Sequence, residues 1–209
     1  MIVSISRELG AGGLTIGEAV AKSLNAPLLD ERTIVTTLTD RLGLTESYVA
    51  ETAEQPRGLG GRLIDVALAS AMLGRPREYR PTDEQLLSAA RELIVETASG
   101  GDVVVIGHGG PVLLRPFERA QKLMILLYAG VDWRIAQVAQ RFAVSADEAR
   151  RRVERVDAAR ARYFQQNFGI HPYEARDYDL ILNTERLGLD NALSVVCGAA
   201  TAAREALGA

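Results

Sequence analysis

Short apolar runs alternate with stretches of helical periodicity along the chain. The runs predict short strands at residues 2–6, 27–29, 102–106, 123–128 and 178–183. Between them, apolar residues recur at three- and four-residue intervals, which predicts helices over about 16–24, 131–142, 145–168 and 189–207. Most strand runs are continuously apolar, as expected of strands buried on both faces. The pattern indicates an α/β fold with a parallel sheet covered by helices on both faces.

The length of 209 residues suits one domain that spans residues 1–209. Two segments exceed what a crossover between strands needs: residues 31–99, which have a mostly helical pattern, and residues 145–176. In α/β proteins such excursions usually form lids or substrate-binding flaps over the carboxyl ends of the strands. We therefore expect a single domain with a helical insertion and a lid region.

Composition and charge exclude several classes of protein. Lys and Arg number 24 against 27 Asp and Glu, which gives a net charge of -3 and argues against a nucleic-acid-coating protein. One cysteine forbids an internal disulfide, and two histidines with one cysteine disfavour a zinc site. No basic leader precedes the first strand, and no apolar run is long enough to span a membrane. We expect a cytoplasmic protein without a membrane partner.

A glycine-rich loop follows the first predicted strand and leads into a helix. Gly10, Gly12 and Gly13 would let its backbone approach a phosphate closely, and the helix amino terminus favours an anion there. A bare turn before a helix would look similar, but the position after the first strand of an α/β chain favours a phosphate site. Thr15 could present its hydroxyl to Mg²⁺.

Two kinds of nucleotide loop compete for this segment. The dinucleotide fingerprint G-x-G-x-x-G needs a third glycine where Thr15 stands, and three residues separate the strand from its first glycine. A loop wrapped around a phosphate, of the form GxxxxGK[ST], fits the length better. That form carries a lysine, and Gly13 occupies its place.

Motifs beyond the loop give the chain a resemblance to a known family. The segments are Gly10-Ala11-Gly12-Gly13-Leu14-Thr15, Leu29-Asp30-Glu31-Arg32, Gly107-His108-Gly109, Asp132-Trp133-Arg134 and Asp157-Ala158-Ala159-Arg160. In this order they resemble the cytidylate kinase-like family of P-loop nucleoside monophosphate kinases. The start Ile5-Ser6-Arg7-Glu8-Leu9-Gly10-Ala11-Gly12-Gly13 looks like a divergent branch of that family, with I-S-R-x-x-G-x-G-G in place of the lysine-bearing loop.

The resemblance implies a three-layer P-loop kinase fold with a five-stranded parallel sheet, an acceptor-side helical insertion at 31–99 and a lid at 145–176. It implies ATP and Mg²⁺ as cofactors, with Thr15 on the metal. The donor nucleotide would contact Arg7, Gly10, Ala11, Gly12, Gly13, Leu14, Thr15 and Arg134. The acceptor would contact Asp30, His108 and Arg115. The catalytic lid residues would be Asp157, Arg160 and Arg162.

Each of these polar residues also has a plainer interpretation. Asp157 and Arg160, three residues apart on one helical face, could form a solvated ion pair, whereas Arg162 falls on another face. Arg134 could form a surface ion pair. Asp30 could cap the following helix. His108 could be hydrogen-bonded to local backbone.

Two functions remain open on these grounds. The first is ATP-dependent phosphoryl transfer to a nucleoside monophosphate, such as CMP, or to another small phosphate acceptor. The second is a nucleotide- or anion-binding module with weak or no turnover, and the missing lysine favours it. Glu31 and Thr36 replace the serine and arginine that cytidylate kinases use near the acceptor, which weakens the case for cytosine specificity. The apolar stripe over residues 59–74 could pack on the sheet or on a second subunit, and we favour a homodimer.

Overall fold

The computed structural model describes residues 1–41, 83–118 and 121–208. The segment 59–74, on which the homodimer prediction depends, lies outside these residues. Among the residues that the structure describes, no helix is both long and apolar enough to cross a membrane.

Five parallel strands form one sheet in the order β2-β3-β1-β4-β5. They are β1 (Ile2–Arg7), β2 (Leu28–Leu29), β3 (Val103–Ile106), β4 (Lys122–Tyr128) and β5 (Leu180–Asn183). This confirms the predicted α/β class and the parallel sheet. Because β1 is central, the segments that follow β1, β2 and β3 meet at one edge of the sheet.

Helices cover both faces of this sheet. In the described residues they are α1 (Gly13–Leu24), α2 (Glu31–Arg41), α3 (Asp83–Ser99), α4 (Gly110–Leu113), α5 (Val131–Phe142), α6 (Ala146–Phe168), α7 (Thr184–Leu187) and α8 (Leu189–Gly208). A short 3₁₀ helix, Ala175–Asp177, precedes β5. The sequence pattern predicted α5, α6 and α8 to within one residue at each end, whereas it gave no sign of the one-turn helices α4 and α7.

Alternation along β1 divides the core into two layers. Val3 and Ile5 pack with residues of α1 and α8, whereas Ile2 packs on the opposite face with residues of α2 and α3. Arg7 continues the odd-numbered series, so that its side chain starts on the α1 face of the sheet. This places a cation directly beneath the first turn of α1.

Helices α5 and α6 form a separate hairpin. Ile135 and Val138 of α5 pack against Ala149 and Val153 of α6 in a small apolar cluster of their own. Ser145 caps α6 by accepting a hydrogen bond from the backbone N–H of Glu148. The hairpin therefore has a small apolar core of its own, apart from the core of the sheet.

Candidate functional site

A cleft of about 750 Å³ opens at the carboxyl edge of the sheet. Three segments line it: the glycine loop from Arg7 to Thr15, the start of α2, and the last two turns of α5. The α2 side contributes Asp30, Glu31 and Arg32. The cleft is thus bounded on one side by a phosphate-loop-like backbone and on another by two carboxylates.

The loop backbone takes a conformation that two glycines make possible. Gly10 and Gly12 have φ angles of +89° and +79°, in the region that side chains disfavour. A Cβ atom on Gly10 would also lie 2.7 Å from the carbonyl oxygen of Arg134, so the loop packs directly on the start of α5. Gly12 is the N-cap of α1 and offers no side chain to the first-turn N–H groups, which leaves them for an anion.

The side chain of Arg7 passes between two further glycines. A Cβ on Gly13 would lie 2.6 Å from Cγ of Arg7 and 2.9 Å from its Cβ. A Cβ on Gly107, which follows β3, would collide with Nη1 of the same guanidinium. The two bare backbones thus form a slot, which we call the two-glycine slot, and it is filled by Arg7.

The guanidinium of Arg7 carries its charge in a desolvated setting. The pKa of Arg7 is lowered to about 10, chiefly by desolvation; Glu31 opposes this shift, the charge of Arg160 adds to it, and Asp30 opposes it. At neutral pH the group is still protonated. A cation therefore stands between the loop and the carboxylates that follow β2.

Arg160 holds the backbone of Arg7 in place. Nη1 of Arg160 donates a hydrogen bond to the carbonyl oxygen of Arg7 (2.9 Å), and its guanidinium lies 4.9 Å from the ring centroid of Tyr173. The side chain is 5% exposed. It does not line the cleft; it fastens the end of β1 to α6. Arg162, on the other helical face, is exposed, in agreement with the predicted division of faces.

Glu8 is a second anchor, and no pattern in the sequence pointed to it. Its Oε2 accepts a hydrogen bond from the N–H of Ala129 (3.1 Å) and lies 3.3 Å from Nε of Arg134. Its Oε1 accepts a hydrogen bond from the hydroxyl of Tyr173 (3.0 Å). Desolvation raises the pKa of Tyr173 to about 12, so the phenol remains a donor.

Arg134 was predicted to contact the donor nucleotide and Asp157 to be a catalytic residue of the lid, and the structure pairs the two side chains with each other. Nη1 and Nη2 of Arg134 donate to the two carboxylate oxygens of Asp157 at 3.1 and 2.9 Å. Nη1 of Arg134 also reaches the carbonyl oxygen of Leu9 (3.4 Å). Arg134 is 5% exposed, so this is not a surface ion pair. Asp157 pairs with Arg134 and not with Arg160. The guanidinium of Arg134 therefore links α5, α6 and the glycine loop.

Asp30 both caps α2 and faces the cleft. Its Oδ1 accepts a hydrogen bond from the N–H of Thr33 (2.7 Å), which matches the capping interpretation. The residue also lines the cleft together with Leu14 and the exposed Thr15. Ala11, in contrast, is fully buried, and the loop around it presents backbone rather than a side chain.

His108 lies behind Arg7 rather than in the cleft. The residue is 8% exposed and adopts a left-handed conformation with φ of +53°. Desolvation and the neighbouring charge of Arg7 lower its pKa to about 3, so the imidazole is neutral at pH 7. Its carbonyl oxygen, not its ring, is the group that accepts a hydrogen bond, from the hydroxyl of Tyr163 (3.3 Å).

Arg115 does not line this cleft, and its contact with an acceptor phosphate stays a prediction. Its Nη2 pairs with Asp177 at 3.1 Å, and its side chain is 52% exposed. Lys122, the first residue of β4, donates a hydrogen bond to the backbone carbonyl of Arg115. Arg115 is therefore held near the amino end of β4, because the chain after α4 has already turned back along the sheet.

The donor groups at the loop fit a nucleotide with a hard cation. First-turn N–H groups of α1 suit phosphate oxygens, and the exposed hydroxyl of Thr15 suits Mg²⁺, which is held by few protein oxygens together with phosphates. No group of three or more His, Cys, Asp or Glu side chains within residues 1–41, 83–118 and 121–208 is arranged to hold a metal ion. Among these described residues, Thr15 is thus placed to hold a metal ion together with phosphate oxygens.

Known proteins resemble this chain over nearly its whole length. Proteins named cytidylate kinase from Pyrobaculum neutrophilum and Pyrobaculum aerophilum are 29% and 25% identical to it over 196 residues, which are 93% of this chain and 90% of each relative. Among solved structures, an uncharacterized protein from Eubacterium ventriosum is similar with a TM-score of 0.67 and 16% identity, and the match covers 96% of this chain and 98% of that one.

A second solved structure, TT1252 from Thermus thermophilus, is similar with a TM-score of 0.50 and 20% identity, over 95% of this chain and 96% of that one. At these identities the structural matches bear on the fold alone. Residues 2–186 match the cytidylate kinase-like family, a span that contains the loop, the start of α2, the hairpin and the last strand. The chain belongs to the cytidylate kinase-like family.

Proposed function

We propose that the protein transfers the terminal phosphoryl group of a nucleoside triphosphate to a small phosphate acceptor, with a nucleoside monophosphate as the acceptor class. The observation that carries this proposal is the cleft itself. It combines the uncapped amino terminus of α1, the glycine loop and the desolvated cation of Arg7 within one space of about 750 Å³. Membership of the family and the names of the Pyrobaculum relatives support a nucleotide kinase.

The chain's own groups can bind and orient both reactants. Backbone N–H groups of the loop and of the first turn of α1 would hold the donor phosphates, and Thr15 would hold the magnesium ion. Magnesium supplies charge neutralisation on the phosphate oxygens when bound. An acceptor phosphate oxygen forms the new bond to the γ-phosphorus while the bond to the β–γ bridging oxygen breaks, which gives ADP and the phosphorylated acceptor.

The acceptor side of the cleft offers carboxylate oxygens. Asp30 and Glu31 both line it, and Arg7 stands next to them. Asp30 keeps one carboxylate oxygen beyond its capping bond, and this oxygen could accept a hydrogen bond from an acceptor hydroxyl. We propose that the acceptor is a nucleotide whose sugar or base donates hydrogen bonds to this carboxylate pair, with CMP as the first compound to test.

A binding module without turnover is the second candidate. The single observation that favours it is Gly13 in the position where GxxxxGK[ST] loops have their lysine. Such a module would bind ATP on the same loop, and the acceptor side would be unused.

One experiment separates the two candidates. The protein is incubated with ATP, magnesium and each of a panel of nucleoside monophosphates, and ADP is measured. The parent should form ADP only when both magnesium and an acceptor are present. Thr15→Ala should lower kcat at least about tenfold, and Thr15→Ser, which keeps the hydroxyl, should retain most of it. A parent that binds ATP in calorimetry but forms no ADP with any acceptor would overturn the kinase proposal and leave the binding module.

A further inference from the structure

We propose that Arg7 is the phosphate-binding cation of this loop, and that Gly13 and Gly107 are the two residues that let its side chain reach the β- and γ-phosphates. The inference rests on the proposed function, because it names the group that would bind the donor in the absence of a loop lysine. It also assigns a role to Gly107, which lies on a different strand end from the loop.

Position 13 lacks a side chain for a geometric reason. It is the first residue of α1, where side chains are ordinarily tolerated, and its φ is not in the left-handed region. Backbone conformation therefore does not demand a glycine. What a side chain would meet is Arg7, whose Cγ lies 2.6 Å from the position of a Cβ at residue 13. A side chain from residue 13 and the side chain of Arg7 compete for one volume.

Gly107 completes the slot on the far side. A Cβ there would overlap Nη1 of Arg7, and 3.1 Å would separate it from Cζ. The φ of Gly107 is +85°, so this glycine is favoured by its backbone as well. Substitution at Gly107 therefore tests two effects together, whereas substitution at Gly13 tests the side chain of Arg7 alone.

The position and charge of Arg7 suit a phosphate. The residue lines the cleft beside the loop, and its charge is partly desolvated with Glu31 and Asp30 nearby. A guanidinium has five donors in a planar fork and is more weakly hydrated than an ammonium, so it suits a bidentate contact with phosphate oxygens. Its backbone is fixed by Arg160, which reduces the freedom lost when a ligand binds.

The test is a double-mutant cycle between Arg7→Ala and Gly13→Ala. Affinity for Mg-ATP is measured by calorimetry, and turnover is measured with the best acceptor. Arg7→Ala should weaken ATP binding at least about tenfold, as expected for loss of charge-assisted hydrogen bonds. Gly13→Ala should also weaken it, because the new methyl group displaces Arg7. In the Arg7→Ala background, Gly13→Ala should have no further effect, since nothing is left to displace.

Two controls match these variants. Gly198→Ala adds a methyl group to helix α8, where nothing lies within 4 Å of the new atom, and it should leave ATP affinity unchanged. Lys22→Ala removes an exposed cation from the other end of α1 and should also leave it unchanged. Circular dichroism of every variant verifies that the fold is retained.

The outcomes distinguish this inference from the proposed function. If the effects of Arg7→Ala and Gly13→Ala on ATP affinity are additive, or if Gly13→Ala binds ATP as the parent does, the inference is overturned while turnover by the parent still stands. If the effects are non-additive but the parent shows no turnover with any acceptor, the inference stands as a binding property and the kinase proposal fails.

Discussion

The glycine loop and helix α6 both bring arginines to the same end of the sheet, but they use them differently. Arg7 of the loop region lines the cleft, with its guanidinium next to two carboxylates. Arg160 of α6 is buried, and its Nη1 donates to the carbonyl oxygen of Arg7 and to the hydroxyl of Tyr173. One arginine is available to a ligand, and the other fastens the backbone that presents it.

The difference teaches that an arginine in a family motif can act through another arginine. Arg134 shows the same behaviour, because its fork is occupied by Asp157 and by the carbonyl oxygen of Leu9. Removing these fastening residues should therefore reduce stability first, whereas removing Arg7 should reduce ligand binding first. Single substitutions can separate the stabilising residues from the ligand-binding residue, and their expected losses of stability differ in size.

Arg134→Ala should cause the largest loss of stability. It leaves the carboxylates of Asp157 and Glu8 without their shared cation in a mostly buried setting, so the free energy of unfolding should fall by about 3 kcal/mol or more in denaturant titration. Arg150→Ala is the matched control, because Arg150 pairs with Asp132 across the same two helices but is 51% exposed. It should change stability by about 0.5 kcal/mol or less. Equal losses in the two variants would contradict the fastening role.

Arg160→Ala should cost about 2 kcal/mol of unfolding free energy, since a charged donor to the carbonyl of Arg7 and the contact with Tyr173 are both lost. Its neighbour Arg162 is exposed, so Arg162→Ala should leave stability within about 0.5 kcal/mol of the parent. ATP affinity should fall in Arg160→Ala as well, because Arg7 loses its backbone support. A variant with parental stability but no ATP affinity would instead indicate that Arg160 contacts the ligand itself.

The buried imidazole of His108 should make the fold sensitive to acid. Its folded pKa of about 3 lies below the unfolded value near 6.5, so the unfolded chain takes up a proton that the folded chain excludes. Stability should therefore fall as pH drops below about 6.5, by about 1.5 kcal/mol between about pH 6.5 and pH 5.

His108→Asn tests this expectation, because asparagine tolerates the left-handed backbone at this position. The unfolding free energy of this variant, measured in denaturant over that pH range, should not show the fall of about 1.5 kcal/mol that is expected of the parent. His171→Asn, which removes an exposed histidine, should keep the parental pH dependence. If the parent and His108→Asn show parallel pH profiles, the neutral buried imidazole is ruled out.

Tyr173→Phe should have the smallest effect. It removes the hydroxyl that donates to Glu8 but keeps the ring against Arg160, so the expected loss is about 1 kcal/mol in thermal or chemical unfolding. Glu8 retains its contacts with Ala129 and Arg134, which limits the loss. A loss as large as that of Arg134→Ala would mean that the phenol, rather than the guanidinium, holds the loop.

The sequence predicted much of the fold and only part of the site. Continuous apolar runs were sufficient to predict the parallel sheet, because its strands are buried on both faces. Apolar residues at three- and four-residue intervals were sufficient to predict helices α5, α6 and α8. The glycine loop and the cap at Asp30 were also recognisable from local residue types. These features depend on neighbours along the chain.

Contacts between distant segments were not predictable in the same way. Arg134 meets Asp157 across 23 residues, and Arg160 meets the carbonyl of Arg7 across 153 residues. After the short helix α4 the chain turns back along the sheet, so Arg115 lies near the amino end of β4. The two-glycine slot joins residues that follow two different strands, and only the sheet order reveals it.

The central claim is that Arg7 does the work of the missing loop lysine, and moving the cation tests it most directly. The double variant Arg7→Ala with Gly13→Lys empties the slot and places a lysine at the position typical of GxxxxGK[ST] loops. We predict that each single variant loses most of the Mg-ATP affinity of the parent and that the double variant regains a substantial part of it. A double variant that binds Mg-ATP no better than Arg7→Ala alone would contradict the claim.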